Sequence, residues 1–125
     1  MGASQRRKGA TGERELAQFL RSVIGIDAER SARNGCDQAE DIHHGIVGLH
    51  IECKRVERLN VSEAMKQARE AAGGKIPTVW HRRSREPWLL TICAEDLMGF
   101  IDLIECHRER QAASKPWQPE ETAEL

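Results

Sequence analysis

The sequence predicts a single α/β domain, a central mixed β-sheet flanked by helices, and three observations carry that prediction. The chain has 125 residues, enough for one modest hydrophobic core. Apolar residues recur with helical period early in the chain and alternate with polar ones over residues 49–55. Two further strand-like runs, "KIPTVWHR" (75–82) and "WLLTICA" (88–94), lie between helical stretches.

Residues 1–10 are basic, glycine-containing and aperiodic, and they read as a flexible arm. The domain proper is expected over 11–110. Leu16, Phe19, Leu20, Val23 and Ile24 form one stripe of an amphipathic helix beginning at Thr11. Thr11 is its expected N-cap, Glu13 and Glu15 suit its first turn, and Gly25 ends it. Residues 26–40 are irregular, with a turn at Asn34-Gly35. A short strand over 41–47 then leads through Gly48 into the strand 49–55, which the flanking helices would make central. Asn60 or Ser62 can cap a helix over 62–72, whose Ala64, Ala68, Ala71 and Ala72 would let it lie close on the sheet. Gly73-Gly74 stops it. The two later strands are joined by the basic turn "RSREP", and a helix follows over 95–110. The tail 111–125, with Pro116 and Pro119, is expected to be disordered.

Lysine plus arginine (19) nearly balance aspartate plus glutamate (20), so net charge alone does not mark a nucleic-acid binder. The distribution is more telling. Arg6, Arg7, Lys8, Arg14 and Arg21 crowd the N-terminal region, "HRRSR" occupies 81–85, and the last residues are acidic. Local basic patches beside carboxylate clusters suit a protein that binds a polyanion. The four cysteines show no CxxC spacing, which favours reduced, buried thiols over a disulfide framework. No signal peptide and no membrane-length apolar run is present, so a soluble, cytoplasmic protein with no membrane partner is expected.

The chemistry concentrates in a few acids and one lysine. At 100° per residue, Glu13 lies roughly 50° from the centre of the first helix's apolar stripe, Glu15 about 110° and Arg14 about 150°. Glu13 is therefore the acid turned toward the sheet. Asp41 opens a strand after a loop carrying Asp37 and Glu40. In "HIECKR" (50–55), Ile51 and Cys53 share one face of a strand and His50, Glu52 and Lys54 the other. A carboxylate and an ammonium on a covered face need partners. Asp41, Glu52 and Lys54 in a D-x10-E-x-K spacing, with a helix-borne Glu13, supply what metal-dependent phosphodiester hydrolysis needs. Carboxylate oxygens are hard ligands for Mg²⁺ or Mn²⁺, and a lysine can position water or offset developing charge.

These residues resemble the PD-(D/E)xK nuclease superfamily, and are most similar to the branch of archaeal-type Holliday-junction resolvases and their phage-encoded relatives. "RRKGATGERELAQFL" (6–20), "EDI" (40–42) and "HIECKR" carry the likeness. The resemblance implies a restriction-endonuclease-like fold, a homodimer, and a DNA recombination enzyme of a prokaryotic or phage-infected cell. It implies Asp41, Glu52 and the backbone carbonyl of Cys53 as ligands of one or two Mg²⁺ (or Mn²⁺) ions, Glu13 beside them, and Lys54 as the catalytic lysine. Arg14 follows the helix acid as in the family, and Gln67 loosely matches an accessory polar residue near the site. The family's proline before the aspartate is Glu40 here, which leaves Glu40 and Asp41 both open as the ligand; Asp41 is preferred for its register before Ile42.

Arg6, Arg7, Lys8, Arg82, Arg83 and Arg85 are the further candidates for phosphate contact. With 4% aromatic residues and no tyrosine, recognition by DNA shape and backbone is expected rather than base stacking. The expected activity is Mg²⁺-dependent cleavage of branched DNA, a four-way junction above all. The alternatives are a general or flap-type nuclease of the same family and a non-cleaving DNA-binding module that keeps the fold. A zinc site at Cys36, His43 and His44 is disfavoured, because no second ligand pair stands at a fixed spacing.

Overall fold

The structure is a computed structural model that describes residues 3–30 and 41–114, with residues 3–8 as backbone only. Its elements are α1 (Ala3–Phe19), β1 (Glu29–Arg30), β2 (Ile42–His43), β3 (Leu49–Arg55), α2 (Val61–Ala72), β4 (Ile76–Arg82), β5 (Leu89–Ile92) and α3 (Leu97–Ser114). The fold is mixed α/β, as the sequence predicts. β3 and β4 run parallel, with α2 as the crossover that parallel pairing requires, and β5 returns antiparallel to β4. β1 and β2 form a separate antiparallel ribbon.

Several local expectations change. The first helix begins at Ala3, so Thr11 lies inside it and caps nothing, and the backbone of Arg6, Arg7 and Lys8 is helical. Their side chains, the Asn34-Gly35 turn, Cys36, Asp37 and Glu40 lie outside the described residues; of the tail expected over 111–125, residues 111–114 continue α3 and the rest lies outside them too. Leu16 and Leu20 are fully buried, but Val23 (66% exposed) and Ile24 (47%) leave the stripe. The cause is a π-helical turn over Leu20–Ile24, whose wider winding rotates the last residues out of phase with the α-helical face. Gly25 ends that turn in the left-handed region, at φ 84°. The strand expected over 41–47 shrinks to two residues, and the loop expected before it contains β1.

The long strand has the expected bounds but lies at one edge of the three-stranded sheet, not in its middle. Helices nevertheless cover both its faces. On one face Leu49, Ile51 and Trp80 join Leu16, Ala17 and Leu20 of α1 in the main core, against which Leu103 and Ile104 of α3 pack. On the other face Val79 meets Ala64, Met65 and Ala68 of α2. Asn60, one of the two expected caps, accepts the Glu63 N–H at 3.1 Å. Ala71 is exposed and Met65 takes its place in the buried face. Each fully buried leucine or isoleucine stabilises the fold by about 1.5–3 kcal/mol. Of the described cysteines Cys53 and Cys93 are half-buried free thiols, while Cys106 is exposed.

One close approach fixes how α1 sits on the sheet. A Cβ at Gly12 would lie 2.5 Å from the Cβ of Arg55 on β3, so only glycine lets the helix come this near. That approach brings Glu13, the next residue, over the strand.

Candidate active site

β3 is the carrier. Its pleat sends Cys53 toward α1 and sends His50, Glu52 and Lys54 toward α2. Asp41, just before β2, reaches the same point of the strand. Its Oδ2 accepts the backbone N–H of Cys53 at 2.9 Å, between Glu52 and Lys54 in the chain. Glu13 descends from α1, 4% exposed, and accepts from Arg30 Nε at 2.9 Å. Burial pushes the Cys53 thiol pKa well above its ordinary value, and the negative charges of Asp41, Glu13, Glu15 and Glu52 push it further in the same direction. Four carboxylates thus act electrostatically on this one residue of β3.

The polar face of β3 is a chain of contacts. His50, 3% exposed, places Nε2 3.0 Å from Glu52 Oε1. Glu52 Oε2 is 3.9 Å from Lys54 Nζ, and that ammonium donates to Gln67 Oε1 on α2 at 3.1 Å. Histidine, glutamate, lysine and glutamine are therefore held in register by two elements. A lysine donating to one amide oxygen keeps two further N–H groups for other acceptors.

The donor chemistry at this strand, carboxylates and a backbone carbonyl, suits a hard divalent cation. As the side chains stand, however, no three histidine, cysteine, aspartate or glutamate groups among the described residues form a metal-holding cluster. Each carboxylate instead engages a donor: Glu13 the Arg30 guanidinium, Asp41 the Cys53 N–H, Glu52 the His50 ring.

A second ionic network adjoins the first. Glu15 on α1 takes Arg55 Nε at 3.0 Å and Arg82 Nη1 at 3.8 Å. Arg55 also donates to Ser84 Oγ at 3.3 Å, and Glu57 accepts the Ser84 N–H at 2.8 Å. That bond, helped by Arg55 and Arg83, holds the exposed Glu57 carboxyl below its ordinary pKa. Arg82 ends β4, as the run 75–82 leads one to expect; it donates to Glu86 O at 2.7 Å and lies 5.9 Å from the Trp88 ring. Arg14, Arg83 and Arg85 are exposed, Arg85 at the unusual φ of 65°. Trp80 is a core residue whose indole donates to Thr78 Oγ1 at 3.0 Å.

Sequence reading missed Arg30, Arg55, Glu15, Glu57 and the service of His50 to Glu52. Only His50 left a signal, its shared parity with Glu52. His44 is buried with Nδ1 accepting the Ile46 N–H, which removes that nitrogen from the disfavoured zinc reading.

Fold and site together define a mixed α/β domain that presents an aspartate, a glutamate and a lysine at the edge of a parallel strand, with a helix-borne glutamate above. No family model matches the chain, and no curated protein matches it. Among solved structures it is similar to Hjc of Archaeoglobus fulgidus, a Holliday junction resolvase from an archaeal hyperthermophile. The identity is 26%, the match covers 68% of this chain and 72% of that one, and the TM-score is 0.46. Among the described residues no helix is long and apolar enough to cross a membrane.

Proposed function

We propose that this protein is a divalent-metal-dependent DNA endonuclease selective for branched structure, with the four-way junction as its substrate. The observation that carries the reading is the Asp41 bond to the Cys53 N–H. It sets an acid from the segment before β2 against the backbone between Glu52 and Lys54, at a residue whose thiol also feels the Glu13 charge. Asp41, Glu52 and the Cys53 carbonyl would hold Mg²⁺ or Mn²⁺, and the ion when bound supplies Lewis acidity at a phosphate oxygen. Lys54, steadied by Gln67, offsets charge on the phosphate and orients the attacking water. His50 and Arg30 position Glu52 and Glu13. The exposed Arg14, Arg83 and Arg85 meet the DNA backbone. A two-fold dimer would present two such sites to opposing strands, and the exposed Leu97, Met98 and Ile101 of α3 are the surface we assign to it.

A substrate panel tests this. With Mg²⁺ or Mn²⁺ the protein nicks a four-way junction faster than linear duplex, and Glu52→Ala or Lys54→Ala abolishes cutting while junction binding persists. Binding without cutting under either ion defeats the enzymatic reading and leaves a non-cleaving DNA-binding module. Equal cutting of linear duplex and flaps defeats the junction assignment alone.

A further inference from the structure

A cavity of about 440 Å³ opens between the segment after β3 and the hairpin joining β4 to β5, a volume within the range of small-ligand sites. Three of its lining residues are apolar yet uncovered: Val56 is 41% exposed, Val61 38% and Leu89 55%. Arg58 and Arg83 also line it and are exposed, Arg83 acting electrostatically on Glu57. His81 also lines it, its Nε2 2.8 Å from Thr91 Oγ1. His81 is the cross-strand partner of Lys54, so the cavity begins one strand spacing, about 4.8 Å, from the candidate catalytic lysine.

The walls are pinned. Glu57 accepts the Ser84 N–H at 2.8 Å and Arg55 reaches Ser84 Oγ at 3.3 Å, which ties the loop on one side to the turn on the other. Two carboxylates, Glu57 and Glu86, share the lining with three guanidiniums, those of Arg58, Arg82 and Arg83, so positive charge is in excess there. An uncovered apolar lining, the exposed guanidiniums of Arg58 and Arg83 and a neighbouring lysine ask for a ligand with a flat, weakly polar body and an anionic end.

We propose that this cavity receives one unstacked nucleotide of the bound DNA strand, its base against Val56, Val61 and Leu89 and its phosphate between Arg58 and Arg83. The inference rests on the nuclease reading of the adjoining Glu52–Lys54 strand. It adds a selectivity element: a base already unpaired, at a gap or at a branch point that leaves one unpaired, enters at little unstacking cost, whereas paired duplex must first extrude one. Guanidiniums suit the phosphate because they bind it through two parallel N–H groups.

The test uses the full chain with EDTA to suppress cleavage, and DNA carrying 2-aminopurine at an unpaired branch-point position. Wild type is expected to shift the probe's fluorescence. Leu89→Gln and Arg58→Ala, both at exposed positions, are expected to remove that shift and to weaken binding of the unpaired-base DNA by about tenfold. Their affinity for linear duplex and their circular dichroism stay unchanged. Equal weakening on both DNAs, or none on either, overturns the proposal while the nuclease reading stands on wild-type cutting. If thymidine 5′-monophosphate binds the cavity but wild type prefers unpaired-base DNA no more than duplex, the occupant is a free nucleotide and the proposal fails. If wild type binds no DNA at all, both readings fail.

Discussion

Gly12→Ala tests the placement of α1 with a sign that helix propensity alone would get wrong. In an open helix, alanine for glycine stabilises by about 1 kcal/mol. At Gly12 the added methyl would sit 2.5 Å from Arg55 Cβ, where carbon atoms need about 3.5–4.0 Å. The Arg55 Cβ is fixed to the strand backbone and cannot swing aside, so α1 must move by about 1 Å. Overpacking of this kind costs about 1–3 kcal/mol. Set against the propensity gain, the net is a loss of about 1 kcal/mol, seen as a fall in Tm of about 4 °C. Glu13 moves with the helix, and a 1 Å displacement in a catalytic arrangement costs about 10²-fold in rate. Gly9→Ala is the control, because a Cβ there meets nothing within 4 Å, and it should raise Tm. Calorimetry and junction nicking on both variants decide the matter. If Gly12→Ala raises Tm as Gly9→Ala does and cuts at the wild-type rate, the close approach and its bearing on Glu13 are wrong.

Three further outcomes follow from particular contacts. Thr78, fully buried, donates to His50 O at 2.8 Å and accepts from the Trp80 indole at 3.0 Å. Thr78→Val keeps the volume but strands both partners, so urea denaturation should show a loss of about 1–3 kcal/mol. His107 has a buried Nε2 with no partner among the described residues, and burial, with Arg110 and His44 nearby, lowers its pKa. His107→Leu removes that orphan, and calorimetry should show a gain of about 1 kcal/mol. The Glu57 carboxyl has a folded pKa below its ordinary 4.5. Its stabilisation is therefore present above 4.5 and lost as pH falls through the lower folded value. A Tm gap between wild type and Glu57→Gln at neutral pH should close on acidification below 4.5; a gap independent of pH would refute the ionic origin of the Ser84 contact.

Much of the site's carrier was legible in the residues. The bounds of β3 and the opposite facing of Ile51 and Glu52 follow from a two-residue period that any pleated strand obeys. The inward turn of Glu13 and the outward turn of Arg14 follow from the 3.6-residue period of α1 in the same way. The same periodicity misled at Val23 and Ile24, because a π turn changes the angle per residue and nothing in "LRSVI" announces it. The helix start at Thr11 was misplaced for a related reason: a polar stretch with no apolar stripe carries no helical period to read, although the backbone from Ala3 is helical.

By itself, then, the sequence determined what local backbone geometry dictates: the alternating strand, a helix cap at Asn60 or Ser62, the glycine stops, and the presence of Asp41, Glu52 and Lys54 at a suggestive spacing. Tertiary structure alone decided which charges meet. Asp41 finds the Cys53 N–H across 12 residues, Arg30 finds Glu13 across 17, and Arg55 finds Glu15 across 40. Such pairs depend on where α1 and the β1–β2 ribbon come to rest against β3. Coulombic attraction acts through space, and no pattern along the chain records its distances.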